Sequence, residues 1–533
     1  MKKGKLLYLL VGLMALSISS CDDYLDELPD DRASIDTEEK ITSFITSAYG
    51  TRNPAFICEY SSDNYTYNGA SYTAQVNQEA LWKFEDVPTQ SNDDPRSQWN
   101  NYYASIGAAN AALEAIADMG NPESLRGQRA EALLCRAWGM FRLANIFCMA
   151  YNPEKKDEYL GLPYPKVAGQ SVDERGTIGE LYENLNADIE EALPLIDDNH
   201  LKVPKYHFNR RAAYAFAARF NLYYMNYDKA IQYATEAIGT DPRPLLRDWT
   251  EYVPLGSSAI GNAYVNSALS CNLMLHPAYS ILGRSFYSSS YRRYGHSSSL
   301  YFYEGFGAKA PWTRPTGGST SAANNCLYKA NKLYGSSPNY RFPAIVEFWE
   351  ETDKVANTGY AHIVDAVFTA DETLLVRAEA YILKKDFDSA LRDMNYWVGS
   401  HCNPSSKYFP TLTTEYINQF MKDIPYCPVI PESNVAKSMR KEIHPQGFTI
   451  EMGSTQEYFI ELLLHMRRLE TYFQGLRFQD VKRYGIEYSH AIPNGDPIVF
   501  KAGDLRGAIQ LPTDVIKAGL EPNPRDTEAA TKE

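Results

Sequence analysis

Two stretches of this chain, Arg210 to Pro242 and Thr373 to Val398, each spell a pair of short amphipathic helices that cannot cover their own apolar faces. The first reads RRAAYAFAARFNLYYMNYDKAIQYATEAIGTDP, turns near Asn226 and closes on a proline. The second reads LLVRAEAYILKKDFDSALRDMNYWV and turns at Lys385-Asp386. Both units must stack on neighbours, yet Tyr227 and Phe387, which follow the two turns, lie 160 positions apart. That distance excludes a plain tandem array. It predicts a helical scaffold in two parts, about 21–247 and 372–533, with a large insert at about 248–371. A further helix is predicted over Ala130 to Phe147, with Ala130, Leu133, Leu134, Ala137, Trp138, Phe141 and Ala144 on a buried side.

With Tyr227, Ala230, Ala237 and Pro242 in order, the first unit resembles a tetratricopeptide repeat. The insert has another texture. Gly283 to Ser321 is crowded with Ser, Gly and aromatic residues, which disfavours regular helix. A second Tyr- and Asn-rich stretch runs from Tyr60 to Trp82. Long irregular segments of this kind are often functional, and these suit a sugar. A pyranose offers an apolar C–H face for aromatic rings and a rim of hydroxyls for Asn, Asp and Arg. The expected stacking residues are Trp82, Tyr65, Tyr67, Tyr287, Tyr291, Tyr301, Tyr303 and Trp312, with Asn64 and Arg314 as hydroxyl partners. Replacing Trp312 or Tyr301 with Ala is expected to weaken glycan retention without changing the melting temperature.

The amino terminus reads as a secretion signal. Lys2, Lys3 and Lys5 precede the apolar run Leu6 to Leu16, and Ile18-Ser19-Ser20-Cys21 follows. This resembles the lipobox of bacterial lipoproteins, with residues 1–20 removed and Cys21 lipidated. The apolar run is shorter than the roughly 20 residues a spanning helix needs. Asp22-Asp23 resembles the surface-export signal of Bacteroidetes lipoproteins and implies an outer-membrane, cell-surface location. Cleavage removes three lysines and takes the formal charge from −14 to −17, which speaks against nucleic acid as a partner. Seven cysteines remain without a CxxC pair, so zinc ribbons and redox sites lose their usual support. HExxH, GxSxG and GxxxxGK[ST] motifs are missing from the sequence. The reading is therefore a protein that is not an enzyme, that requires no cofactor and for which no metal ligands are named, with a glycoside hydrolase built on two carboxylates as the lesser alternative.

From Cys21 onward the chain resembles the SusD/RagB family. CDDYLDELP looks like the family's opening, and Trp99-Asn100-Asn101-Tyr102-Tyr103 with Ile106 and Asn110 resembles its first long helix. MRRLETYFQGLRFQDVKRYG, Met466 to Gly485, resembles its most specific segment, and Leu511-Pro512 and Asn523-Pro524 its closing motifs. Met466 and Gln474 depart from the family, which usually has Glu there. Within this segment the i,i+3 pairs Arg467 with Glu470, Arg477 with Asp480 and Asp480 with Arg483 are expected to brace the scaffold. The resemblance implies a mainly α, tetratricopeptide-repeat-like scaffold with an irregular ligand-binding insert. It also implies oligosaccharide capture and delivery to a SusC-like TonB-dependent outer-membrane transporter, with RagB-like peptide capture as the alternative.

Overall fold

Four polar side chains start the helices of the two repeat units. In the computed structural model, which describes residues 35–525 apart from 172, 337 and 355, Asn209 caps α4 (Arg210–Tyr223) and Asn226 caps α5 (Tyr227–Ile238). Thr369 caps α6 (Ala370–Leu383) and Asp386 caps α7 (Phe387–His401). Each accepts a backbone N–H that the first helical turn leaves without a partner. Both units turn through a residue of positive φ, Met225 at 62° and Lys385 at 63°, placed directly before the cap. The two turns share one geometry. Cys21 and residues 1–20 lie outside the described residues.

The remaining principal helices are α1 (Pro95–Asp118), α2 (Arg126–Phe147), α3 (Ile178–Ala192), α8 (Thr414–Lys422), α9 (Thr455–Glu470) and α10 (Leu476–Tyr484). Helices α1, α2 and α3 pack side by side, and α5 packs directly on α6, so the two units distant in sequence are neighbours in space. Helix α6 also packs on α9, and α9 on α8. The fold is mainly α-helical. Helix α2 is buried nearly all round rather than on the one side its apolar spacing predicts. The reason is that its polar residues find partners inside. Arg136 grips Asp188 of α3 through two bonds of 2.6 Å, and Glu131 accepts from the Tyr49 hydroxyl at 2.5 Å and faces His200 and His207.

Between α5 and α6 the insert is less irregular than its composition suggests. Strands β1 (Asn272–Ala278), β2 (Phe348–Asp353) and β3 (Thr358–Thr369) form an antiparallel sheet in the order β1-β3-β2. Thr369 ends β3 and caps α6, so the insert feeds straight into the scaffold. Arg219 of α4 spans the junction, with two bonds to Glu372 and one to the Val367 carbonyl.

Two adjacent arginines on α9 tie distant segments together. Arg467 meets Asp480 at 3.1 Å and Glu379 at 3.2 Å. Arg468 donates to Asn64 Oδ1 and the Asp63 carbonyl, and Arg477 takes both oxygens of Asp63. Burial alone would raise the Asp63 carboxyl, but Arg468 and Arg477 hold it well below the usual carboxylate range. The local pairing expected from sequence is therefore corrected in two places. Arg477 serves Asp63 rather than Asp480, and Glu470 serves His401 at 2.8 Å rather than Arg467, whereas Arg483 does meet Asp480. A fully buried guanidinium takes the carboxylate that completes its shell, wherever that residue lies in the chain. Gly475 and Gly485 flank α10 in the left-handed region, and a Cβ at Gly485 would sit 2.1 Å from the His444 carbonyl oxygen.

Removing one partner leaves a buried charge, so Arg468→Ala is expected to cost about 3–5 kcal/mol in urea unfolding. His465 gives a second test. Both of its nitrogens lack a hydrogen-bond partner, and burial pushes its pKa down to about 3 from 6.5. As pH falls below 6.5 the unfolded chain gains a proton that the folded chain refuses, so stability is lost toward acid. The urea midpoint of His465→Phe should accordingly rise relative to wild type as pH is lowered from 6.5 to 4.

Candidate functional site

Most rings nominated from sequence are structural. Trp82 is 1% exposed, lies flat on His490 with centroids 3.6 Å apart, and donates Nε1–H to the Ala491 carbonyl. Tyr65 sits edge-on between Tyr60 and His296, and Asn64 is spent on Glu59 and Arg468. Tyr301 is packed among His296, Phe306, Tyr340 and Tyr472. Trp312 is wedged between Trp397 and His465, and Tyr291 is buried as well. These six side chains present no open face to a ligand. The physical reason is that a segment with little regular helix still needs apolar mass, and aromatic rings supply it as a local core.

The other four lie nearer the surface. Tyr287 is half exposed, Tyr67 and Tyr303 are partly buried, and Arg314 donates Nε–H to the Gly317 carbonyl, closing a turn. Tyr287 is the best placed. The Arg341 guanidinium lies 4.5 Å from its ring centroid, and Arg284, on the short helix Leu282–Ser285 just before Tyr287, pairs with Glu347 at 2.8 Å. Burial lowers the Arg341 pKa, whereas the hydrogen bond to Glu347 raises that of Arg284.

Sequence reasoning missed a second set of rings that the sheet brings out beside this one. Glu347 leads directly into β2, and the β2–β3 hairpin exposes Trp349 and Tyr360. Tyr360 meets Tyr279 edge-on at 5.5 Å, Arg52 lies over Tyr279, and Phe348 stacks on His362. The available signal was the pairing of two apolar-polar runs across the turn residue Asn357, which has φ of 50°. Rings with free faces beside guanidinium and carboxylate groups can stack on a flat apolar face and bond hydroxyls around it. A cleft of about 320 Å³ opens elsewhere, between residues 84–96 and 506–525. Its one aromatic, Phe84, is already stacked on His490 and Phe500, and an Arg96–Asp514 pair joins its walls.

Residues 23–222 match a SusD-like family model described as starch-binding associating with outer membrane. No curated protein matches the sequence. Among solved structures, a putative sugar binding protein from Bacteroides vulgatus is similar with a TM-score of 0.62 at 17% identity, covering 92% of this chain and 99% of that one. A SusD superfamily protein from Bacteroides thetaiotaomicron follows with a TM-score of 0.58 at 17% identity, covering 91% and 98%. A SusD-like carbohydrate binding protein from Bacteroides vulgatus has a TM-score of 0.53 at 14% identity, covering 87% and 88%. The SusD-like family model thus matches the amino-terminal part of the chain, and the overall fold is shared with these solved structures. Among the described residues no helix is long and apolar enough to cross a membrane.

The burial pattern separates two roles by a melting experiment. Trp312→Ala is expected to cost about 3–5 kcal/mol, as for other fully buried aromatics, whereas Tyr287→Ala should leave the melting temperature within a degree or so of wild type.

Proposed function

We propose that this SusD-like protein captures an oligosaccharide at the outer-membrane surface, where it is held by lipid on Cys21, and passes it to a SusC-like TonB-dependent transporter without breaking a bond. The observation that carries the reading is the half-exposed Tyr287 ring beneath Arg341, set in the insert next to the Arg284–Glu347 pair. A sugar ring laid on Tyr287 would meet both hydrogen-bond donors and a carboxylate at its edge. The description of the family model as starch-binding supports the same class of ligand, as do the sugar- and carbohydrate-binding descriptions of two structural neighbours. The scaffold about 21–247 and 372–533 serves as the frame and the insert about 248–371 as the ligand-bearing part.

Non-catalytic capture is consistent with where the raised carboxyls lie. Burial pushes Asp93 up to about 6 and Glu461 up to about 8, but both are buried and bonded inside the body, Asp93 to Ser280 and the Ile281 N–H and Glu461 to Arg440. Affinity electrophoresis through starch and other polysaccharides tests the proposal. Wild type should be retarded, and Tyr287→Ala or Arg341→Ala should be retarded several-fold less. Release of new reducing ends would overturn the non-enzymatic part, and binding of peptides with no retardation by any glycan would replace the sugar with a RagB-like ligand.

A further inference from the structure

The hairpin beyond the body has two unlike faces. In the β2–β3 register Trp349 stands opposite Ala361, and Glu351 opposite Gly359. Residues in register share a face and alternate along each strand. Trp349, Glu351, Gly359 and Ala361 therefore make one face, and Phe348, Glu350, Tyr360 and His362 the other. The second face leans on the body, through Tyr360 against Tyr279. Among the described residues the first has no such neighbour ring, and its two β3 residues, Gly359 and Ala361, are the smallest available.

That choice of residues decides how the indole lies. A Cβ placed on Gly359 would come within 2.9 Å of both Cε2 and Nε1 of Trp349, so the ring rests against the bare backbone of the opposite strand. Its inner side is covered, and 57% of the residue stays exposed. The result is a flat aromatic plate held from behind. Exposed acids lie close by: Glu351 shares its face, and Glu350 and Asp353 lie on the same strand, with Lys354 the nearby base.

We propose that the Trp349 face is a stacking platform for an uncharged sugar ring, and that the acids around it select neutral glycans over uronate-bearing or sulfated ones. The indole face carries negative charge density that attracts the slightly positive C–H face of a pyranose. Carboxylates accept hydrogen bonds from sugar hydroxyls, whereas they repel a second carboxylate or a sulfate. The inference rests on the glycan-capture reading and adds to it a place and a class of ligand.

The test uses the full chain, affinity electrophoresis through a neutral glucan or through polygalacturonate, and melting temperatures measured alongside. Trp349→Ala should weaken retention in the glucan about tenfold with unchanged melting, and Trp349→Phe should fall between it and wild type. Polygalacturonate should retain wild type less than the glucan does, and the double change Glu350→Gln with Glu351→Gln should narrow that gap. Wild-type retention by Trp349→Ala, while Tyr287→Ala is still weakened, overturns the platform and leaves glycan capture standing. Lowered melting with unchanged retention would reduce the indole to a cover for Gly359 and also overturns it. Loss of retention by wild type in every glycan sinks both readings together.

Discussion

The architecture depends on guanidinium groups that have been taken out of water. Arg467 and Arg468 are both buried on α9 and face opposite sets of carboxylates. A lone buried cation is very costly, so each must be met by an acid whose position is then fixed. Arg467 draws on α6 and α10, which locks the second repeat unit to the carboxy-terminal helices. Arg468 reaches Asp63 and approaches Glu304 at 3.8 Å, which brings the amino-terminal segment and the insert to the same helix. Pieces hundreds of residues apart are registered by one pair of neighbouring side chains.

The same logic recurs wherever the insert joins the frame. Arg219 bridges α4, the end of β3 and the start of α6, and Arg377 of α6 holds Asp393 of α7 together with the Gly239 carbonyl that ends α5. At the start of the insert the Arg247 backbone N–H donates to Asp371, and inside it Lys329 donates to the Leu469 and Glu470 carbonyls. Helix pairs that could slide along apolar faces are therefore pinned by directional bonds. A long excursion of chain can leave between α5 and α6 without separating them, because the contacts that matter are made across its two ends.

This frame also governs which aromatic rings can work on a ligand. With few long helices of its own, the insert builds its interior from Tyr301, Phe306 and Trp312, packed with Tyr472 of the scaffold, and they are consumed in doing so. Rings remain free where the sheet projects from the body, at Trp349 and Tyr360, and where Arg341 covers one side of Tyr287. Richness in tyrosine and exposure of tyrosine are separate properties here. A stable platform requires a ring whose one side is supported and whose other side is open.

Much of the frame was legible from residue order. The turns near Asn226 and at Lys385-Asp386, the Tyr227–Ala230 spacing of the first unit, and the Met466–Gly485 segment all report local geometry or family resemblance, and local geometry is written in adjacent residues. The ligand surface was far less legible. Trp82, Tyr65 and Trp312 have the chemistry of stacking residues but were claimed by packing, while Trp349 and Tyr360 drew no notice because strand pairing alone turns them outward. The partner of Arg477 was equally hidden, since Asp63 lies more than 400 positions away. By itself the sequence determined a helical scaffold interrupted by a long aromatic insert, because periodicity and capping act over a few residues. Only the tertiary structure decided which rings and charges meet water and which meet each other, because burial depends on all the chain that folds around a side chain.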